Sequence, residues 1–193
     1  MTETLAVRLE ALVDSAFANC PESPSIAVAV SCNRLGLDWR AGARRGEPLT
    51  AAGADVPFRI ASITKPFVAT AVHLLAAEGR LRLSQPVAEL LRPETSAVLA
   101  GGAHDPTAIR VAHLLSHTSG LPDHTTTPSY RAAATATPER RWERIEQVAL
   151  AASESQPLGV PGEVYSYSDT GYVLLGEIIE QATGETLAAA VRR

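Results

Sequence analysis

Between Ser25 and Ser31 the chain reads Ser-Ile-Ala-Val-Ala-Val-Ser, apolar at every position from Ile26 to Val30. A half-wet strand alternates apolar and polar residues, whereas an unbroken apolar run suits a strand covered on both faces. This run constrains the fold more than any other segment, because the chain gives it a single partner. Asn33-Arg34-Leu35-Gly36 has the composition of a turn, and Leu37 to Gly42 that of a second strand. The remaining periodic segments are helical. One hairpin alone is marginal, and its open edge invites pairing with another molecule. The pattern predicts one antiparallel hairpin among several helices, an α+β content.

From Thr4 to Ala18, the residues Leu5, Leu9, Leu12, Val13 and Phe17 recur at helical spacing with charges on the other face, which predicts an amphipathic opening helix ended by Pro21 and Pro24. A second helix is expected from Ser62 to Glu78. Pro66 is tolerated in its first turn, where its missing N–H would lack a partner anyway, and Gly79 stops it. Its buried face reads Phe67, Ala71, Leu74 and Leu75. Ile109 to Leu115 predicts a short helix that runs into the turn His117-Thr118-Ser119-Gly120-Leu121-Pro122. Thr125 to Thr137 reads as a threonine- and alanine-rich loop and Pro138 to Ala152 as a charged helix. Thr170 to Ala182 reads as a last helix, closed by Gly184 and followed by a short tail.

The 193 residues carry 17 Lys and Arg against 21 Asp and Glu, a net charge of -4, with a pI near 5.7. The basic pairs Arg44-Arg45, Arg140-Arg141 and Arg192-Arg193 are scattered. They form no cationic stripe for a phosphate backbone, so nucleic acid is excluded as a partner. No run of about 18 uncharged apolar residues occurs, which excludes a helical membrane span. Glu3, Arg8, Glu10 and Asp14 interrupt the first residues and leave no apolar signal core, so the expected location is cytoplasmic. Cys20 and Cys32 are too few for a disulfide framework and sit in no zinc-binding spacing. They read as buried thiols, with a disulfide between them as the open alternative.

Phe58 to Lys65 reads Phe-Arg-Ile-Ala-Ser-Ile-Thr-Lys. Three residues on a helix return to the same face, so the Lys65 amine can approach the Ser62 hydroxyl, and a helix N-terminus favours the negative charge that develops there. A serine needs such a neighbour, because its own pKa leaves almost no alkoxide near neutrality. The spacing alone is a weak signal, since the same pair also arises as a helix cap beside a solvated lysine.

Two further segments follow in order: Val111-Ala112-His113-Leu114-Leu115-Ser116-His117-Thr118-Ser119-Gly120-Leu121-Pro122, and the triplet Tyr167-Ser168-Asp169 within Pro161 to Tyr172. With Ser62-Ile63-Thr64-Lys65 they resemble the serine beta-lactamase-related, penicillin-recognising family, which includes class C beta-lactamases, D-alanyl-D-alanine carboxypeptidases, D-aminopeptidases and beta-lactamase-like esterases. The likeness runs from about Ser25 to Gly184. The resemblance implies a beta-lactamase/transpeptidase-like fold, an α/β sandwich with an antiparallel sheet flanked by helices and a mostly helical subdomain. It implies that residues 1–193 are the N-terminal part of one domain, with helix and hairpin at 4–42 and the motif-bearing helical region at 58–184.

The function implied is a serine hydrolase that works through an acyl-enzyme on an amide or ester: a beta-lactam, a D-amino-acid peptide or a small ester. Ser62 is then the nucleophile, its backbone N–H one half of the oxyanion hole, and Lys65 the proton acceptor. Tyr167 is the phenolic partner that shuttles a proton to the leaving group or activates the deacylating water. No metal and no organic cofactor is implied, the partner is a small-molecule amide or ester, and the oligomeric state is left open.

Two departures stand out. The third residue of the triplet is usually Asn, which donates to the substrate amide and accepts from the lysine. Here Asp169 takes that substrate-binding place, and an ionised Asp accepts hydrogen bonds but donates none. It can pair with Lys65 but not donate to a substrate carbonyl. Reading Ser168-Asp169-Thr170 as a Ser-Asp-Asn triplet fails at its third residue. In addition, no Lys/His-Thr/Ser-Gly segment follows Tyr167, and Ala182-Thr183-Gly184 lacks the basic residue. The later strands and the second oxyanion N–H belong with that motif. The expectation is part of a longer protein that is silent toward amides and poorly soluble or oligomeric by itself.

The competing readings are a non-catalytic ligand-binding or sensor module of the same fold, or an inactive truncated fragment. Among other candidates, His113 and His117 stand four apart as metal ligands do, but Leu114 replaces the glutamate of a zinc helix. His73 reads as a packed or surface residue. Asp123 and His124 suggest a Ser-His-Asp triad that Lys65 and Tyr167 make unnecessary. Tyr165, Tyr130 and Trp142 either line a cleft or pack.

Overall fold

The computed structural model describes residues 2–192. The chain forms two compact units that divide between Ile60 and Ala61.

In the first unit, α1 (Thr2–Ala18) precedes a hairpin of β1 (Ser25–Cys32) and β2 (Leu37–Arg44). The strands are antiparallel, with Ile26 opposite Ala43, Val28 opposite Ala41 and Val30 opposite Trp39. Arg45 ties the end of α1 to the hairpin: its Nη2 donates to the Phe17 carbonyl at 3.1 Å and the Ser23 carbonyl at 3.0 Å, and its guanidinium lies 3.9 Å over the Phe17 ring.

The apolar run of β1 is not covered on both faces. Ile26, Val28 and Val30 are half-buried, whereas Ala27 and Ala29 between them are exposed. Alanine puts little apolar area into water, so a run with no polar residue can still serve a one-sided strand. The cysteines also depart from expectation, since both are free, Cys20 exposed and Cys32 half-buried. One lies in the loop after α1 and the other at the last strand pair, places that leave side chains open to solvent.

The second unit is helical: α2 (Thr64–Ala77), α3 (Pro93–Gly101), α4 (Val111–Leu115), α5 (Pro128–Ala136), α6 (Arg144–Glu154), α7 (Asp169–Thr183) and α8 (Leu187–Arg192). Its axis is α7, whose Leu174, Leu175, Ile178 and Ile179 are fully buried, each worth about 1.5–3 kcal/mol relative to exposure. Around it pack α2, α4, α6 and α8. Gly184, at φ 72°, ends it in the left-handed conformation.

Several elements differ from the sequence pattern. The buried stripe of α2 is Val68, Val72 and Leu75, while Phe67 and Leu74 are 50% and 59% exposed. This helix is apolar nearly all round, so its pattern does not select a face and packing against α7 does. The expected loop at 125–137 contains α5, started by Thr127, whose Oγ1 accepts from the Tyr130 N–H at 3.4 Å, with Pro128 in the first turn. The expected charged helix starts at Arg144 instead of Pro138, where Glu146 reaches back to the Glu143 N–H at 3.0 Å. The short tail after Gly184 is the helix α8.

Glu177 is a fully buried carboxylate on α7. It accepts from the Arg92 N–H at 2.8 Å, from Arg92 Nη2 at 3.2 Å and from Thr95 Oγ1 at 3.0 Å. A negative charge is thereby held at the first turn of α3, the end of a helix that favours it. Among the described residues, no helix is long and apolar enough to cross a membrane.

Candidate active site

Ser62 lies in a single 3-10 turn, Ala61–Ile63, that feeds directly into α2. Ala61 has φ 46°, a left-handed conformation uncommon for a residue with a Cβ. Lys65 follows in the first turn of α2. Its Nζ donates to Ser62 Oγ at 3.1 Å and to Asp169 Oδ1. Ser62 Oγ also lies 2.7 Å from Tyr167 Oη. The ammonium stands over two aromatic faces, 4.8 Å from the Tyr167 ring centroid and 5.5 Å from that of Tyr172. The four residues singled out in the sequence, Ser62, Lys65, Tyr167 and Asp169, thus meet within the second unit.

Asp169 is the first residue of α7, and Tyr167 lies in the extended segment before it. That segment is held by the turn after α4. The Leu158 N–H donates to the Gly120 carbonyl at 2.9 Å, the Gly162 N–H to Thr118 at 2.7 Å and the Ser166 N–H to His117 at 2.8 Å. Ser168 Oγ donates to the Pro122 carbonyl at 3.1 Å. Gly120 is required here: its φ is 74°, and a Cβ would stand 2.3 Å from the Gly159 oxygen.

Burial by itself disfavours the Lys65 ammonium. The hydrogen bonds to Asp169 and Tyr167 and the Asp169 charge outweigh that and hold its pKa above the ordinary 10.5. Tyr172 donates its hydroxyl to the Leu115 carbonyl at 3.1 Å, and burial pushes its pKa up against the pull of Lys65. His117 is held below its ordinary value by burial and by the Lys65 charge, against the Ser168 backbone, Asp169 and Asp123. From Lys65 and Asp169 a cleft of about 830 Å³ extends past Tyr172, Tyr130, Trp142 and Arg144.

The other sequence candidates fall elsewhere. His124 is buried and directs its ring nitrogens to Thr170 Oγ1 at 3.1 Å and Gln147 at 3.2 Å, while Asp123 accepts from Thr125. They make no triad with Ser62. His113 Nδ1 accepts from the Arg110 N–H at 3.3 Å, and no group of three or more possible metal ligands occurs among the described residues. His73 is exposed. Tyr130 and Trp142 stack at 4.8 Å and line the cleft, whereas Tyr165 is 68% exposed. His117 and Tyr172 surround Tyr167 and Lys65. In the sequence reading Tyr172 carries no role and His117 is weighed only as a metal ligand beside His113; their signal for this site was membership of the two motif segments.

Comparison with known proteins agrees with this architecture, which is that of the beta-lactamase/transpeptidase-fold proteins. The chain belongs to the beta-lactamase family, whose model, described as Beta-lactamase, matches residues 13–193. It is 33% identical to esterase EstB of Burkholderia gladioli over 97% of this chain and 48% of that protein. It is also 33% identical to penicillin-binding protein 4* of Bacillus subtilis (strain 168), over 70% of this chain and 27% of that protein. Among solved structures, a D-stereospecific amidohydrolase from Streptomyces sp. superposes with a TM-score of 0.73 at 33% identity, covering 88% of this chain and 47% of that one. The chain therefore spans half or less of the length of these relatives.

Proposed function

We propose that the protein is a serine hydrolase that forms an acyl-enzyme on Ser62, with small esters preferred over amides. One observation carries this reading: Ser62 Oγ lies within hydrogen-bond reach of both a phenol, Tyr167 Oη at 2.7 Å, and an amine, Lys65 Nζ at 3.1 Å. Such a serine has a path for its proton and a charge beside the oxygen that attacks. Ser62 Oγ bonds to the carbonyl carbon, the bond to the leaving alkoxide breaks, and the serine proton reaches that alkoxide through Tyr167. Water then attacks the acyl carbon, the bond from that carbon to Ser62 Oγ breaks, a proton from the water returns to Oγ, and the carboxylic acid is released.

Lys65 enters this scheme as an ammonium, because Asp169 keeps it protonated. It donates to Ser62 Oγ and stabilises negative charge there, rather than starting as the proton acceptor that the resemblance implies. Asp169 offers no donor to a substrate amide, which favours esters. The similarity to esterase EstB over 97% of this chain supports the same choice, and the Streptomyces amidohydrolase makes D-amino-acid amides the second class to test. A non-catalytic ligand-binding module is the competing reading, favoured by the same ion pair, since it withholds a free amine.

A fluorophosphonate probe should modify the wild-type protein on Ser62, located by peptide mass spectrometry, and leave Ser62→Ala unmodified. A p-nitrophenyl ester should be hydrolysed faster than the matching p-nitroanilide. Labelling that survives in Ser62→Ala sinks the nucleophile assignment, and a wild-type protein that takes no label favours the binding module.

A further inference from the structure

We propose that His117 is a positioning residue that fixes the Tyr167 phenol beside Ser62, by stacking on its ring and by accepting the Ser168 N–H. The proposal rests on the reading of Tyr167 as the proton partner of Ser62. Its own ground is the way one residue brackets another. The His117 carbonyl accepts the Ser166 N–H at 2.8 Å, and its Nδ1 accepts the Ser168 N–H at 3.2 Å. The residues on both sides of Tyr167 thus donate their N–H groups to the same residue. Between them the imidazole stacks on the Tyr167 ring, with centroids 4.4 Å apart and planes at 28°. The Tyr165 ring meets its edge at 6.1 Å, and Tyr172 lies tilted at 5.1 Å.

Tyr167 needs such a support. Its side chain is 43% exposed, and its hydroxyl must stay near 2.7 Å from Ser62 Oγ to relay a proton. A displacement of about 1 Å at a reacting group can lower a rate about a hundredfold. His117 itself adopts φ 56°, an unusual conformation for a residue other than glycine, which the hydrogen bonds from Ser166 and Ser168 and the Thr118 N–H to His113 carbonyl bond hold in place.

The bond from Ser168 requires Nδ1 to be unprotonated. A protonated imidazole carries N–H on both nitrogens, so Nδ1 would face the Ser168 N–H donor to donor. It would also bring a second cation toward Lys65. The groups that face this ring are Lys65 on α2, Asp169 and Tyr172 on α7, Asp123 in the turn, and Tyr165 and Tyr167 in the extended segment. Burial and Lys65 favour the neutral ring and prevail over the Ser168 backbone and the two carboxylates, which oppose them. Acidification therefore opens the clamp and releases the phenol.

The test uses 3-fluorotyrosine incorporation and fluorine NMR, with the Tyr167 resonance identified by its loss in Tyr167→Phe, alongside fluorophosphonate labelling rates from pH 8 to 5. In the wild-type protein the Tyr167 resonance should shift, and the labelling rate should fall, through one common inflection. His117→Asn keeps an oxygen near the Nδ1 position and tolerates the left-handed backbone, but has no ring to stack and no titration. It should label about 10–100-fold more slowly near neutrality, with the acid inflection gone from both readouts.

Unchanged rate and inflection in His117→Asn overturn the proposal. If that variant does not fold, the wild-type protein decides: an inflection at Tyr167 that coincides with the carbon-13 titration of His117 supports the clamp, and its absence overturns it. A coupled inflection in a protein that takes no label on Ser62 separates the two readings, since the clamp then stands and the hydrolase assignment fails.

Discussion

Asp169 decides what Lys65 can do. Burial works against the ammonium, and the Asp169 carboxylate more than reverses that, so the lysine gives up its proton only above its ordinary value. With Asp169 ionised, the contribution of the Lys65 ammonium is full below the ordinary 10.5 and is lost as pH rises through the raised value. Asp169→Asn removes the charge, and any inflection in the labelling rate that belongs to Lys65 should move to lower pH. The same change supplies an amide donor, which should strengthen binding of amide substrates by about 1 kcal/mol, with less effect on esters. Matched ester and anilide kinetics check this, and an equal loss on both would mean that Asp169 matters only as the anchor of Lys65. Lys65→Ala and Tyr167→Phe should each slow labelling by about two to four orders of magnitude; a wild-type rate in either removes that residue from the scheme. The approach of Lys65 to Ser62 was readable from their three-residue spacing, but that spacing alone was a weak signal of a site. The contact of Lys65 with Asp169, 104 positions away, was readable only through resemblance.

At the scale of elements, the decisive contact is the one no pattern announced. Glu177 sits among the apolar residues of α7 and reads as the polar edge of an amphipathic helix, yet it is fully buried and holds the start of α3. Glu177→Gln keeps one oxygen for the Arg92 N–H but turns an NH2 toward Thr95 or Arg92 Nη2. The loss of charge-assisted bonds should cost about 2 kcal/mol, less than for a wholly buried ion pair, because the Arg92 side chain is 42% exposed. Denaturant titration measures it, and an unshifted midpoint would mean that the carboxylate does not anchor α3. The hairpin and α7 were visible because turn residues and a helical stripe bounded them. The face of α2 was not, because residues on nearly every side of it are apolar. Thr127-Pro128 carried a start signal for α5 that the surrounding threonines concealed.

Across the whole molecule, four imidazoles titrate in the same sense. His104, His113, His117 and His124 are each held below the ordinary 6.5, with burial the largest cause in every case. The unfolded chain therefore takes up these protons at higher pH than the folded one. Stability should be full above 6.5 and decline as pH falls through 6.5 toward the lowered values. Thermal melts at pH 8 and pH 5 test it: the melting temperature should drop at pH 5, and a constant one would mean that these rings are not desolvated in the folded chain. The 105-residue separation of Ser62 from Tyr167 has its own bearing on how the protein comes into being. A chain made at about 5–20 residues per second presents its serine roughly 5–20 seconds before the phenol exists. Contacts this distant also form late in refolding, after local helices. During that interval Ser62 lacks the Tyr167 contact on which the proposed acylation depends, so on that proposal the site is assembled only when synthesis is well advanced.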